Sequence, residues 1–186
     1  MEKRLFVAVD IDESTRAQVE RISSAVRAVV EKETKASWVH PDRMHLTLHF
    51  LGNVDAAMEE RVRGTLAHMI DEAGFDITFD RLGFFPERGS PRVLWLGVRD
   101  GLDGLRRVHE RLARELDLRP DHPGPFTPHL TLARLRDRVP RVKVAQISRI
   151  PASAGPSRID RVTLYESRLS PAGPTYVPLV AAPLRP

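Results

Sequence analysis

Apolar residues recur at every third or fourth position in three stretches of the chain, over residues 13–33, 55–73 and 102–118. This spacing matches the 3.6-residue turn of an α-helix and gives each stretch one apolar stripe. The pattern therefore predicts three amphipathic helices, each with one face against a core.

Between these stretches, short apolar runs and alternating polar and apolar residues predict β-strands. The predicted strands are residues 4–10, 44–52, 75–79, 92–98, 129–135 and, near the C-terminus, 157–169 and 175–180. No linker is long enough to mark a clean boundary, and the proline-rich stretch 120–128 is the nearest candidate. This order of elements predicts an α+β fold in a single domain that spans residues 1–186.

The four-residue word His-Leu-Thr-Leu occurs twice, at residues 45–48 and 129–132. Each copy follows a predicted helix and a proline-bearing turn, which indicates two similar lobes of antiparallel sheet and helix that arose by duplication. On a strand, alternate side chains face the same way about 7 Å apart. His45 therefore shares one strand face with Thr47, and His129 shares the corresponding face with Thr131, while the leucines point into a core.

If the two polar faces oppose each other, two imidazoles and two hydroxyls converge on one cleft. Imidazole titrates closest to neutral pH, so one ring can act as a base and the other as an acid, while the threonines hold an anion. This arrangement fits in-line displacement at phosphorus, and a strained cyclic diester would need no metal. Each motif could instead be only the polar outer face of a sheet, but the two matching copies favour the catalytic interpretation.

Three neighbouring residues allow further interpretations. His49 extends the first motif to His-x-Thr-x-His on one strand face, a pattern that could bind a metal. No third ligand is apparent, so we expect no metal and place His49 at the rim of the cleft. Phe126 and Tyr165 could stack on a nucleobase, although packing in the core is the expected role of each.

Charge and composition narrow the functional classes. The 186 residues carry a net charge of +4, and the 29 basic residues include only four lysines. Arginine binds phosphate with two parallel hydrogen bonds, so this bias suits a polyanionic substrate, but codon bias would produce it equally well. Cysteine is absent, the N-terminal apolar run is short, and no stretch is long enough to span a membrane, which together predict a soluble cytoplasmic protein.

Several separated segments resemble the 2H phosphoesterase superfamily, and within it the LigT and ThpR branch of RNA 2′,3′-cyclic phosphodiesterases. They include the opening RLFVAVDI, WVHPDRMHLTL, GFFPERGSPRVLWLGV, PHLTLARL and the closing VTLYESRLSPAGPTYVPL. The resemblance implies a bilobal α+β fold with pseudo-two-fold symmetry and an active-site cleft between the lobes. It also implies hydrolysis of a terminal 2′,3′-cyclic phosphate to a 2′-phosphate, with a reversible 2′-5′ RNA ligase activity in some members.

The same resemblance implies roles for individual residues. His45 matches the proton donor to the departing 3′ oxygen, and His129 matches the proton acceptor that activates water. Thr47, Thr131 and Arg134 match residues that bind the phosphate. His40 stands where relatives often carry arginine, so a phosphate contact at that position is not expected to carry over.

Two other functions remain open at this stage. The chain could be a non-catalytic module that binds RNA ends, or a phosphodiesterase that acts on a small cyclic nucleotide, because the residues identified contact only the phosphate and ribose edge. No cofactor is expected, and a monomer is the default.

Overall fold

The computed structural model describes residues 2–30, 34–87, 89–118, 125–171 and 173–186. Ten strands and four α-helices follow one another along these residues. In chain order they are β1 (Lys3–Asp10), α1 (Glu13–Val30), β2 (Ala36–Trp38), β3 (His45–Val54), α2 (Ala56–Leu66), β4 (Ile70–Ala73), β5 (Phe75–Phe85), β6 (Val93–Val98), α3 (Leu102–Leu116), β7 (His129–Leu135), α4 (Arg141–Ile147), β8 (Ala154–Ile159), β9 (Arg161–Arg168) and β10 (Thr175–Arg185), with a 3-10 turn at Pro41–Arg43 before β3.

The strands form one path in the order β4-β10-β9-β1-β3-β7-β6-β5-β8, and β2 pairs with β7. At the centre of this path, β3 and β7 are joined by a single residue pair, Leu46 with Leu130. We call the strands from β4 to β3 the first half-sheet, and β7, β6, β5, β8 and β2 the second half-sheet. The α+β class is confirmed, but one pairing, β10 with β4, is parallel rather than antiparallel.

The two half-sheets are built around a repeated unit. In each unit a strand leads into a helix and then into the His-Leu-Thr-Leu strand, which returns antiparallel to the first strand: β1, α1 and β3 in one copy, β6, α3 and β7 in the other. The identical motifs thus occupy equivalent strands, side by side at the centre of the sheet.

Each helix of the repeat packs against the opposite half-sheet. Helix α1 contacts β8 of the second half-sheet, and α3 contacts β3 and β4 of the first. The start of α1 is also hydrogen bonded to β8: Ser157 Oγ accepts from the Asp12 amide at 2.8 Å, and Pro156 O accepts from Thr15 Oγ1 at 3.3 Å. The buried apolar residues form a core cluster to which both half-sheets contribute.

Several predicted elements differ from the structure. The second helix ends at Leu66 instead of continuing to Ala73, because Ile70 is buried in β4, where it pairs with Leu184 of β10 at the sheet edge. The predicted strand 157–169 is two strands, since the chain passes at Asp160 from β8 in the second half-sheet to β9 in the first. The short elements β2 and α4 were not predicted. The expected helix end at 31–33 and part of the candidate boundary at 120–128 lie outside the described residues.

Among the residues described, none of the helices combines the length and apolar character needed to span a lipid bilayer.

Candidate active site between the half-sheets

A cleft of about 510 Å³ lies where β3 meets β7. Its lining contains all five site residues expected from the sequence: His45, Thr47, His129, Thr131 and Arg134. The two copies of the motif therefore do contribute to one cavity. A larger cavity, of about 700 Å³, contains none of them.

Both motif histidines make the same backbone hydrogen bond. His45 Nδ1 is 2.8 Å from Arg43 O, and His129 Nδ1 is 2.9 Å from Thr127 O, in each case the carbonyl two residues earlier. A carbonyl oxygen can only accept, so we assign the Nδ1 proton to each ring from its partner. Each Nε2 is consequently left available for proton transfer.

The electrostatic surroundings of the two histidines differ. Burial lowers the pKa of both rings, and the cation of Arg134 lowers both further. The bond from Nδ1 to a backbone carbonyl raises the pKa of each ring, and the carboxylate of Asp10 raises the pKa of His45 alone. Asp10 pairs with His45 across β1 and β3, whereas the residue that pairs with His129 across β6 and β7 is Gly97. Only His45 therefore has a carboxylate at this position.

Aromatic side chains hold both imidazoles from the side. Phe6 stacks on His45 with ring centres 4.8 Å apart, and Tyr176 meets the same ring edge-on at 5.1 Å. His129 has Phe85 edge-on at 4.9 Å, with Trp95 behind it at 6.3 Å. These contacts limit the rotation of each ring and so direct its Nε2.

A glycine is required beneath Trp95. A Cβ added to Gly83 would lie 2.2 Å from the Trp95 ring, so any other residue would displace the indole that supports His129.

A β-bulge in each motif strand decides which residues reach the cleft. Thr47 and His49 oppose consecutive residues of β1, which leaves Leu48 as the extra residue. In β7, Leu132 is the extra residue between Thr131 and Ala133. A bulge reverses the alternation beyond it, so the fifth residue after each histidine, Phe50 in one copy and Arg134 in the other, lines the cleft.

The bulge at Leu48 also makes the expected position of His49 wrong. His49 does not share the face of His45 and Thr47; it is buried on the opposite side of the sheet. Its ring stacks on His109 of α3 at 4.1 Å, and its Nε2 is 2.8 Å from His109 O. A metal site that combines His49 with the first motif is therefore geometrically excluded, and no group of three potential metal ligands occurs within the described ranges.

The two aromatic residues considered as base contacts pack elsewhere. Phe126 stacks on His109 at 4.0 Å. Tyr165 stacks on Phe6 and donates its hydroxyl proton to the Asp10 carboxylate at 2.8 Å. Burial and the negative charge of Asp10 raise the pKa of Tyr165. Neither residue lines the cleft, which confirms the expected packing role for both.

The rim of the cleft contains residues that sequence reasoning missed. They are Arg4, Arg43, Phe50, Ser167, Leu169 and Tyr176. Arg4 was detectable, because it precedes Phe6 by two on a predicted strand and so faces the same way. Phe50 was not, because its direction depends on the bulge. His40 lies at the rim, largely exposed, with its Nδ1 3.2 Å from Asp42 Oδ2.

Comparisons with known proteins show the relatives of this chain. The sequence model of the 2′-5′ RNA ligase superfamily matches residues 5–170. A protein named RNA 2′,3′-cyclic phosphodiesterase in Archaeoglobus fulgidus is 36% identical, with 93% of this chain and 96% of the relative covered. One of the same name in Thermotoga maritima is 32% identical, with 93% and 91% covered. The crystal structure of E. coli LigT complexed with 3′-AMP is 30% identical, covers all of both chains and superposes with a TM-score of 0.75.

Proposed function

Because the chain belongs to the 2′-5′ RNA ligase superfamily, we propose that it is an RNA 2′,3′-cyclic phosphodiesterase that opens a terminal cyclic phosphate to a 2′-phosphate. The observation that carries this proposal is the pair of motif histidines that line one cleft, each with Nδ1 bonded to a backbone carbonyl. Two imidazoles with free Nε2 atoms provide both the base and the acid that hydrolysis of a cyclic diester requires.

In the proposed reaction the phosphorus lies between the two rings. Neutral His129 takes a proton from water at Nε2 as the water oxygen bonds to phosphorus. The bond from phosphorus to the 3′ oxygen breaks, and protonated His45 gives its Nε2 proton to that oxygen. A 5′-hydroxyl in place of water would yield a 2′-5′ linkage by the same proton transfers.

The difference between Asp10 and Gly97 supports these roles. The acid must carry a proton before the reaction. Burial lowers the pKa of His45, and the Asp10 carboxylate offsets part of that shift. His129 faces a glycine at the equivalent position, so no carboxylate there offsets burial and the Arg134 cation, both of which favour the neutral form of a base. Sequence symmetry alone offers no such distinction.

The hydroxyls and the arginine contribute binding in the proposal. Thr47 and Thr131 stand two residues after the histidines and face the same cavity, where each can donate a hydrogen bond to a phosphate oxygen. Arg134 makes no ion pair with any described carboxylate, so its guanidinium is available for the developing negative charge at phosphorus.

Hydrolysis of an oligonucleotide that ends in a 2′,3′-cyclic phosphate, in excess EDTA, tests the proposal. We expect a 2′-phosphate product and a loss of kcat of about 100-fold or more in His45→Ala and in His129→Ala, since each removes one proton transfer. A 3′-phosphate product, or activity that both variants retain, would rule the mechanism out. Binding without turnover in the unmodified protein would identify an RNA-end binding module.

Two further features of the proposal concern the compartment and the oligomeric state. A chain without cysteine suits a reducing compartment, so we place the enzyme in the cytoplasm. We propose that it acts as a monomer, since both motifs of the cleft come from one chain, and light scattering at assay concentrations would test this.

A further inference from the structure

The second cavity, of about 700 Å³, lies beyond the ends of β5, β6 and β7. Its lining includes two exposed arginines, Arg138 and Arg141, next to Ser90 and the apolar Val139 and Val144. Neither arginine forms an ion pair with a described carboxylate, although Glu87 is also part of the lining. Among the described residues, the cavity shares none with the catalytic cleft.

Arginines connect the two cavities along the sheet edge. Arg136 follows Arg134 by two residues, and its Nε donates to the hydroxyl of Ser37, a residue that lines the cleft, at 3.1 Å. Arg92 Nη1 donates to Arg136 O at 3.3 Å. The cavities lie on either side of this edge, since Phe84 lines the second cavity and its neighbour Phe85 lines the cleft. We call Arg134, Arg136, Arg92, Arg138 and Arg141 the arginine row.

Several arginines on other surfaces pair with carboxylates. Arg111 contacts Glu72, Glu115 and Asp71, and Arg63 contacts Glu59. Arg161 and Arg168 likewise contact Asp160 and Glu166. Members of the arginine row use backbone or hydroxyl acceptors, or no described partner, so they keep their charge available for an anion. A run of arginines without a described carboxylate partner therefore extends from the cleft to the second cavity.

From this distribution we propose that the arginine row binds the phosphodiester backbone of the single-stranded RNA that leads to the cyclic end, and that the second cavity receives part of that strand. This inference rests on the proposed function and specifies its substrate class. The enzyme then acts on oligonucleotides in preference to cyclic mononucleotides. The phosphates repeat along the strand, and each guanidinium group of the row can bind one of them with two parallel hydrogen bonds.

The test compares cyclic-phosphate substrates of one, two, four and eight nucleotides. For the unmodified enzyme, we expect kcat/KM to rise at least tenfold from the mononucleotide to the octamer, through KM. Arg138→Glu combined with Arg141→Glu should remove most of this rise. Its kcat/KM on the mononucleotide reports whether the catalytic centre is folded. The matched control, Arg106→Glu with Arg114→Glu, reverses two exposed charges on α3 and should keep the rise.

Salt dependence gives a second readout. The logarithm of the binding constant falls linearly with the logarithm of the salt concentration. Each arginine that neutralises one phosphate of a single strand makes this slope steeper by about 0.7. The double variant removes two such arginines, so its octamer binding should depend less steeply on salt, by about 1.4 in this slope. The proposal is overturned if the unmodified enzyme treats mononucleotide and octamer alike, or if the double variant keeps the full length dependence and salt slope.

Fluorescence anisotropy with a 5′-labelled octamer bearing a 2′-phosphate separates this inference from the proposed function. If the protein opens no cyclic end, the proposed hydrolysis fails, but the arginine row is still tested by binding. Loss of octamer binding in the double variant, with binding retained in the control, supports the row. Equal octamer binding by the double variant and the control would overturn the proposed role of the arginine row.

Discussion

His45 and His129 have the same hydrogen bond but different electrostatic partners. Asp10 stands opposite His45, and Gly97 stands opposite His129. Asp10 also accepts hydrogen bonds from the hydroxyls of Tyr165 and Thr163, which fix its carboxylate close to the first motif. At the scale of single residues, one carboxylate thus breaks the symmetry of two otherwise similar motifs.

Replacing this carboxylate should shift one limb of the pH profile. The charge of Asp10 raises the pKa of His45, so Asp10→Asn should lower that pKa and move the alkaline limb of kcat/KM to lower pH. On that limb, a shift of one unit lowers kcat/KM about tenfold. Tyr165→Phe keeps the charge and is the matched control, for which a smaller shift is expected. Movement of the acidic limb instead would reverse the roles of the two histidines.

Burial separates the two histidines of the first motif strand into different functions. His49→Ala removes a ring that stacks on His109 and whose Nε2 is bonded to the His109 carbonyl oxygen. We therefore expect the free energy of unfolding to fall by about 2–4 kcal/mol. Its kcat/KM should stay within a few-fold of the unmodified enzyme. His45→Ala should lose its activity, and its loss of stability should be smaller, because the His45 ring lines a cleft and is only half-buried. Denaturant unfolding and steady-state kinetics measure both, and a catalytic defect in folded His49→Ala would place His49 in the site.

At the scale of elements, the two β-bulges explain what the chain directs into the cleft. Simple alternation would point Ala133 into the cleft and Arg134 away from it. The extra residue Leu132 exchanges them, and Leu48 does the same for His49 and Phe50. The bulges therefore supply a cation on one side of the cleft and an aromatic ring on the other.

The contribution of Arg134 can be measured directly. We expect Arg134→Ala to lower kcat/KM by about 10- to 100-fold, because a charged hydrogen bond to phosphate is worth about 1.5–3 kcal/mol. Arg134→Lys should recover only part of this loss, since lysine cannot bind two phosphate oxygens in a fixed geometry. Arg161→Ala, which removes an exposed arginine paired with Asp160, is a suitable control. An unchanged kcat/KM in Arg134→Ala would exclude a phosphate contact.

Local pattern was sufficient for some of these features and not for others. His45, Thr47, His129 and Thr131 were predictable because residues two apart on a strand share a face whatever the partner strand does. Arg134 came from family resemblance, and His49 was misplaced, because a bulge depends on register against a strand distant in sequence. Ile70 was assigned to a helix by its spacing, whereas pairing with β10 draws it into the sheet. Arg134, Arg136 and Arg138 alternate along the sequence, but their proximity to Arg92 depends on the pairing of β6 with β7.

At the scale of the whole molecule, the crossed helices join the half-sheets into one structure. Helix α1 begins in the first unit and packs on the second half-sheet, and α3 packs on the first. The chain crosses between the half-sheets again at Asp160. Neither half-sheet is formed by one continuous segment, since β2 of the second lies between β1 and β3 of the first. We expect the two half-sheets to unfold together.

Two buried leucines test this coupling. Both tryptophans, Trp38 and Trp95, lie in the second half-sheet, so their fluorescence reports unfolding there. Leu164 is fully buried in the first half-sheet, so Leu164→Ala should destabilise the protein by about 2–5 kcal/mol. If the half-sheets unfold together, the midpoint of unfolding measured by fluorescence should fall as much as the midpoint measured by circular dichroism. Leu96→Ala, fully buried in the second half-sheet, is the counterpart. A fluorescence transition that Leu164→Ala leaves unchanged would show independent units.

Phe50 and Arg134 stand at the same place in their respective repeats, five positions beyond a motif histidine and two beyond an inserted leucine. An ancestor with two identical repeats would have treated both ends of its ligand alike. The difference between Phe50 and Arg134 is enough to make the two ends of the cleft unlike, one cationic and the other aromatic. For protein engineering, codon randomisation at Phe50 alone thus offers a route to new ligand preferences while both motif histidines stay in place.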